Sequence, residues 1–215
     1  SLPSGHSCPQ ASKCLAKSCP KTGKIWDGPK QEFRCFSAMA ECAFTPTRKS
    51  RWRNFKACKK LLASGKGGGG PEKLAEALSA SLRKQTRKPP EIVRLHVGGD
   101  FFRPSYMEAW AITANINPTT VFYAYTKSIS MWLRLRTKLG ENWPTNFRLT
   151  ASLGGREDHL AKKHNLPTAE VVFHPDEAKN KNLEIDHDDS HAQRPIRENF
   201  ALLIHGCQKE GSKAQ

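Results

Sequence analysis

The stretch CPQASKCLAKSCPKTGKIWDGPKQEFRCFSAMAEC, residues 8–42, holds Cys8, Cys14, Cys19, Cys35 and Cys42, five of the seven cysteines in a chain of 215 residues. Thiolates are soft ligands, so a run of them outside an oxidising compartment points to a metal centre or free thiols rather than to disulfides. Seven is an odd number, and the opening SLPSGHSCPQ lacks the charged and apolar pattern of a secretory signal. A soluble, cytoplasmic protein with reduced thiols is expected. Structural zinc usually sits between paired C-x2–4-C knuckles, whereas this chain has no C-x-x-C at all. An iron–sulfur cluster needs one thiolate per iron and accepts looser loop geometry. The spacing therefore favours iron–sulfur, with zinc as the alternative.

The elements that must position these thiols are legible from periodicity. In FRCFSAMAECAF, residues Phe36, Met39, Ala40 and Ala43 fall at helical spacing, which places Cys35 at a helix start. Unsatisfied N–H groups there favour an anion or thiolate. Cys42, two turns on, reads as an inert core thiol. Residues 48–64 read as a basic helix, with seven Lys or Arg and no acid between Arg48 and Lys60. Its charges are either solvated or set against phosphates; in the second case Arg51, Trp52, Arg53, Lys59 and Lys60 would contact nucleic acid, Trp52 by stacking on bases. GKGGGGP (65–71) lacks both a Gly-Lys-Ser/Thr ending and a preceding strand, so it reads as a linker into a helix opened by Pro71.

Charge follows the same division. Residues 1–90 carry 19 Lys and Arg against 5 Asp and Glu, and residues 91–215 carry 16 against 15. A polyanionic partner acting on the first part, nucleic acid above all, is the partner class this asymmetry implies. No apolar run reaches the length of a membrane span, so no membrane partner is expected.

After Pro90 the pattern changes. IVRLHV (92–97), TVFYAY (120–125), NFRLTAS (146–152), AEVVFH (169–174) and FALLIH (200–205) read as strands, separated by helical stretches such as SYMEAWAITANI, SISMWLRLRTKL and REDHLAKKH. The alternation implies βαβ units and a mostly parallel sheet. The expected fold is α/β: one domain spanning 1–215, comprising a Cys-rich basic segment (1–64), a Gly-rich linker and helix (65–90) and a β/α core (91–215). The core is read as a partial or open (β/α) barrel with the Cys-rich segment laid over it.

Ligands in such folds gather at the carboxyl ends of the strands. His96, Asp100, Lys127, Ser152, His174 and His205 all follow strands and are expected to face one mouth. Gly98 and Gly99 would let a ligand approach the backbone, with Asp100 accepting a hydrogen bond from an amine or hydroxyl and Lys127 meeting a carboxylate or phosphate. Asp100 and Lys127 are the candidate catalytic pair. A metal-dependent nuclease or hydrolase is the competing reading, using Asp100, His96, His174, Asp176 and the run EIDHDDSH (184–191) on a divalent ion.

Several blocks carry a resemblance. LPSGHSCPQASKC, FRCFSAMAE, RKSRWRNF, RLHVGGDFF, FYAYTKS and FALLIHGCQKEGSKA look like those of the phage gene-product-88 family, a group met in bacteriophage and mobile-element genomes. The likeness spans nearly the whole chain and implies that, of the thiols, Cys8, Cys14 and Cys35 belong to the family pattern. More distantly the chain resembles radical S-adenosylmethionine proteins. Those have three cysteines on a 4Fe–4S cluster, a Gly-Gly-acid motif and an incomplete barrel. That likeness implies metal ligation by Cys8, Cys14 and Cys35, with Gly98, Gly99 and Asp100 binding S-adenosylmethionine. The compact C-x3-C-x2-C loop of those enzymes is absent.

Overall fold

A computed structural model of the protein describes residues 1–63, 68–85, 88–195, 198–212 and 214. Residues 65–67 of the linker expected at 65–71 lie outside them, and Gly70 and Pro71 already belong to the third helix. A short antiparallel hairpin, β1 (Ala16–Ser18) and β2 (Ile25–Asp27), is followed by three helices, α1 (Phe36–Ala43), α2 (Thr45–Leu61) and α3 (Gly70–Gln85). Strands and helices then alternate: β3 (Ile92–Leu95), α4 (Pro104–Ile116), β4 (Val121–Thr126), α5 (Ile129–Leu139), β5 (Phe147–Ser152), α6 (Asp158–Lys163), β6 (Thr168–Val172) and α7 (Pro175–Asn180). The chain ends with β7 (Glu184–Ile185), α8 (Ser190–Gln193) and β8 (Phe200–Leu203).

The main sheet has six strands in the order β3-β4-β5-β6-β8-β7, every neighbouring pair parallel. It is open: β3 and β7 are its edges, so no closed barrel forms. Successive side chains of a strand point to opposite faces. Phe122 and Ala124 of β4, with Phe147, Leu149 and Ala151 of β5, enter the core shared with α4 and α5, where Trp110 and Trp132 are buried. Tyr123 and Tyr125 point the other way, toward Phe200 and α8. Expected and observed strands agree to within two residues at each end. The first stops early because His96 turns into the left-handed region, at φ 59°.

The N-terminal segment is tied to the sheet end by its backbone. Leu2 N–H donates to the Gly98 carbonyl at 2.7 Å, Lys13 N–H to the Gly154 carbonyl at 2.9 Å, and Arg156 N–H to the Gln10 carbonyl at 2.9 Å. A second tie is ionic. Glu41 of α1 and Arg51 of α2 form a salt bridge of 2.7 Å, with side-chain exposures of 0% and 8%. The same carboxylate accepts the Ser4 N–H at 2.8 Å and the Ser18 hydroxyl at 3.2 Å, while Arg51 also donates to the Ser37 carbonyl at 2.8 Å.

Two expectations for the basic helix are thereby corrected. Arg51 does not face a nucleic acid: it is buried, because its charge neutralises Glu41. Nor is Trp52 an open stacking platform. Its ring packs edge-on to His6 at 5.0 Å and Phe55 at 5.9 Å, and Phe55 in turn meets Phe102. Lys59 lies over the Phe55 ring and is exposed, as are Arg53 and Lys60. Cys42 is only half-buried, and the core thiol is Cys58.

Truncating one member of a buried ion pair strands the other charge in a poorly solvated site. Glu41→Ala is therefore expected to lose about 3–5 kcal/mol in urea unfolding. Glu41→Leu combined with Arg51→Met should recover most of that loss, and equal destabilisation of the single and double variants would show that the pair is not what holds the segment.

Candidate metal centre and cavity

At the carboxyl end of the sheet lies a cavity of about 170 Å³. Cys8, Cys14 and Cys35 all line it, beside Gly98, Gly99, Asp100, Lys127 and Ser152. Residues distant in the N-terminal segment thus meet the ends of β3, β4 and β5 at one place. All seven cysteines are free.

Each thiol has a distinct setting. The Gly5 N–H reaches Cys8 Sγ at 3.3 Å. Burial pushes the Cys8 thiol well up, and Asp100, Cys35 and Cys14 reinforce the shift. Cys35 occupies the N-cap of α1, as its sequence position implies. Burial and Cys14 push its thiol up, while the N–H groups of Ala38 and Ser37 and the Lys127 ammonium pull against that shift. The three sulfurs are therefore mutual electrostatic neighbours, and ionisation of Cys8 and Cys35 is opposed. Among the described residues, no three His, Cys, Asp or Glu side chains converge closely enough to hold a single metal ion. A lone zinc would draw its thiolates in to about 2.3 Å from one centre, and the cavity does not present them so.

Asp100 and Lys127 reach the cavity wall, but their polar atoms are engaged by the protein. Asp100 Oδ1 accepts the Phe101 N–H at 2.6 Å and the Thr126 hydroxyl at 2.7 Å, and Oδ2 accepts the Lys127 N–H at 2.8 Å. Lys127 Nζ donates to the Ser152 carbonyl at 2.9 Å, the Ser152 hydroxyl at 2.7 Å and the Leu153 carbonyl at 2.8 Å. Three donors and three acceptors leave the ammonium nothing further to give. These residues lock the ends of β3, β4 and β5 together. They position the cavity wall, with the Lys127 ammonium fully engaged and one acceptor site of Asp100 Oδ2 left over.

The glycine pair is also explained by the protein itself. A Cβ on Gly98 would stand 2.6 Å from Arg51 Nη1 and would strike the Ser37 hydroxyl. Gly99 has φ +86°, and a Cβ there would come within 2.7 Å of the Leu2 Cβ and strike the Ser7 hydroxyl. The close approach foreseen at this turn is made by α1, α2 and the first residues of the chain, so the glycines border the cavity without offering a bare cradle to S-adenosylmethionine.

Of the strand-end histidines, His96 and His205 line the cavity and His174 does not. The His96 ring pairs with the Tyr106 hydroxyl at 3.1 Å, and burial lowers its pKa to about 3, so it is neutral. His205 is exposed at the rim, its ring 4.3 Å from Phe36. His174 caps α7 and faces Asp176 in solvent.

The acidic run closes the second face of the sheet. Asp189 accepts the Tyr123 and Tyr125 hydroxyls at 3.0 and 2.8 Å and pairs with Arg94 at 2.5 Å. Asp186 is buried and accepts the N–H groups of Asp188, Ser190 and His191. Periodicity gave no sign of the Asp189 role, because that acid is recruited by Arg94, Tyr123 and Tyr125 on strands far away in sequence.

The family described as "Gene product 88" matches residues 1–215. Gene 88 protein of Mycobacterium phage L5 is 46% identical over 41 residues, which cover 19% of this chain and 17% of that protein. No solved structure matches. None of these findings bears on the radical S-adenosylmethionine likeness. No helix among the described residues is long and apolar enough to cross a membrane.

Burial pushes the Asp100 carboxyl up to about 6, against the pull of its three hydrogen-bond donors and Lys127. A raised folded-state pKa means the folded form binds the proton more tightly than the unfolded chain does. The associated stabilisation is complete below the ordinary carboxylate value and is lost as pH rises through about 6. Asp100→Asn abolishes that titration. The stability of the parent relative to the variant should be about 2 kcal/mol greater at about pH 4.5 than at about pH 7.5 in urea titrations. A difference independent of pH would show that Asp100 is ionised throughout.

Proposed function

We propose that this chain, which belongs to the gene product 88 family, is an iron–sulfur protein of phage type, its cluster held by Cys8, Cys14 and Cys35 at the mouth of the sheet. The observation that carries the reading is the convergence of these three thiols, from separate turns of the N-terminal segment, on one cavity wall. The donor set suits such a group. It is all sulfur, it is spread wider than a single ion would gather it, and it is backed by a backbone N–H at Cys8 and a helix start at Cys35. N–H groups directed at cluster sulfurs are among the means by which proteins set reduction potential. A 4Fe–4S cluster on three protein thiolates supplies one-electron chemistry and an iron open to a further ligand.

A fourth ligand would come from within the cavity. Cys19 and Cys207 are not among the residues that line it, whereas His205 is. A small molecule entering past His205 is the alternative occupant of that iron. Behind it, Val171, Leu202 and Leu203 contribute apolar wall, and Arg94, already paired with Asp189, borders it too. The reading is thus of a cluster facing a small ligand pocket, in the reducing cytoplasm of an infected cell. The nuclease reading is weaker, because both Asp100 oxygens and the carboxylates of Asp186 and Asp189 hold the fold together.

Anaerobic purification tests the proposal. The protein should be brown, with iron and acid-labile sulfide near four per chain. Cys8→Ser, Cys14→Ser and Cys35→Ser should each lose most of the iron, while Cys42→Ser and Cys207→Ser retain it. Colourless protein carrying stoichiometric zinc would overturn the reading, as would iron retained by all three of the first variants.

A further inference from the structure

Helix α2 (Thr45–Leu61) has a second face that the cluster reading does not use. Lys49, Arg53, Lys56 and Lys60 follow one another at i, i+4, i+7 and i+11, and all four are exposed. At about 100° per residue their side chains fall within an arc of about 60°, over a length of about 16 Å. The opposite side of the helix is spent inward: Arg51 on Glu41, Cys58 in the core, Phe55 against Phe102. The helix contains no acidic residue, and among the described residues none of the four cations has an acidic partner. Lys138 and Lys181, by contrast, each have an acidic partner, in Glu108 and Glu170.

Like charges at i, i+4 repel and weaken a helix. A row of four that is left uncompensated is relieved by a linear polyanion whose charges recur at a comparable spacing. Successive cations here stand about 4.5–6 Å apart along the axis. We propose that Lys49, Arg53, Lys56 and Lys60 form a binding stripe for the phosphodiester backbone of a nucleic acid, contacting phosphates without reading bases. A lipid surface fits less well. An amphipathic membrane helix must bury its apolar side in the bilayer, and the apolar side of α2 is already buried in the protein. This inference rests on the helix alone and stands apart from the identity of the metal.

The test is salt-dependent binding by the full-length protein to fluorescent single-stranded and duplex oligonucleotides of unrelated sequences. Four phosphate contacts give slopes of log affinity against log salt of about −2.8 for a single strand and about −3.6 for a duplex. Between about 50 and 200 mM salt, affinity should then fall about 50-fold for the first and about 150-fold for the second, which identifies the form bound. Replacing all four residues with Ala should flatten the slope toward zero and weaken binding at least tenfold at the lower salt. The helix should persist, since Ala is a better helix former than any of them, and the matching Gln replacements should behave alike. Replacing the exposed Arg156, Lys162, Lys163 and Lys179 with Ala removes the same charge elsewhere and should leave the slope unchanged. Equal losses from the two sets would reduce the effect to net charge and overturn the proposal. Equally strong, stripe-dependent binding to phosphatidylserine vesicles would overturn it in favour of a membrane.

Discussion

A single buried carboxylate organises the N-terminal third of this protein. Glu41 neutralises Arg51 and, with its remaining lone pairs, holds Ser4 and Ser18, so one side chain joins α1, α2, the first turn of the chain and the β1–β2 hairpin. Such a pair is weak evidence for net stability, because desolvating two charges offsets much of their attraction. Its value here is geometric. Hydrogen bonds to a buried charge admit few alternative arrangements, and the segment they fix is the one that carries Cys8, Cys14 and Cys35.

The turn after β3 is the other half of the same device. Gly98 and Gly99 have no side chains because Arg51, Ser37, Leu2 and Ser7 occupy the space a Cβ would need. One residue on, Asp100 ties the turn to the end of β4, and Lys127 carries the connection to the end of β5. The thiol-bearing segment and three strand ends thereby form a continuous, hydrogen-bonded frame around the cavity. Residues that look reactive in isolation, a buried acid beside a buried lysine, are the joints of that frame.

Much of the architecture was legible in the sequence. Five of the six strands of the main sheet and six helices appear where apolar periodicity puts them, because burial on one face imposes a repeat that local composition records. The short elements, β7, α7, α8 and the N-terminal hairpin, went unread. They contain two to six residues each, too few to leave a periodic trace. The basic helix was read correctly as a helix, yet its charges were sorted wrongly. Arg51 and Arg53 look alike in sequence, and only the position of Glu41 distinguishes a core cation from a surface one.

By itself the sequence determined the α/β class, the placement of polar residues after the strands and the helix start at Cys35. Each of these depends on local spacing or on residue type, which a linear reading preserves. Tertiary structure alone decided which strand-end residues have polar atoms to spare, why the glycine pair is needed, and which face of α2 is open. Those outcomes depend on the distances between groups remote in the chain, and a charge or a hydrogen-bonding atom is free or spent only according to what the fold brings beside it.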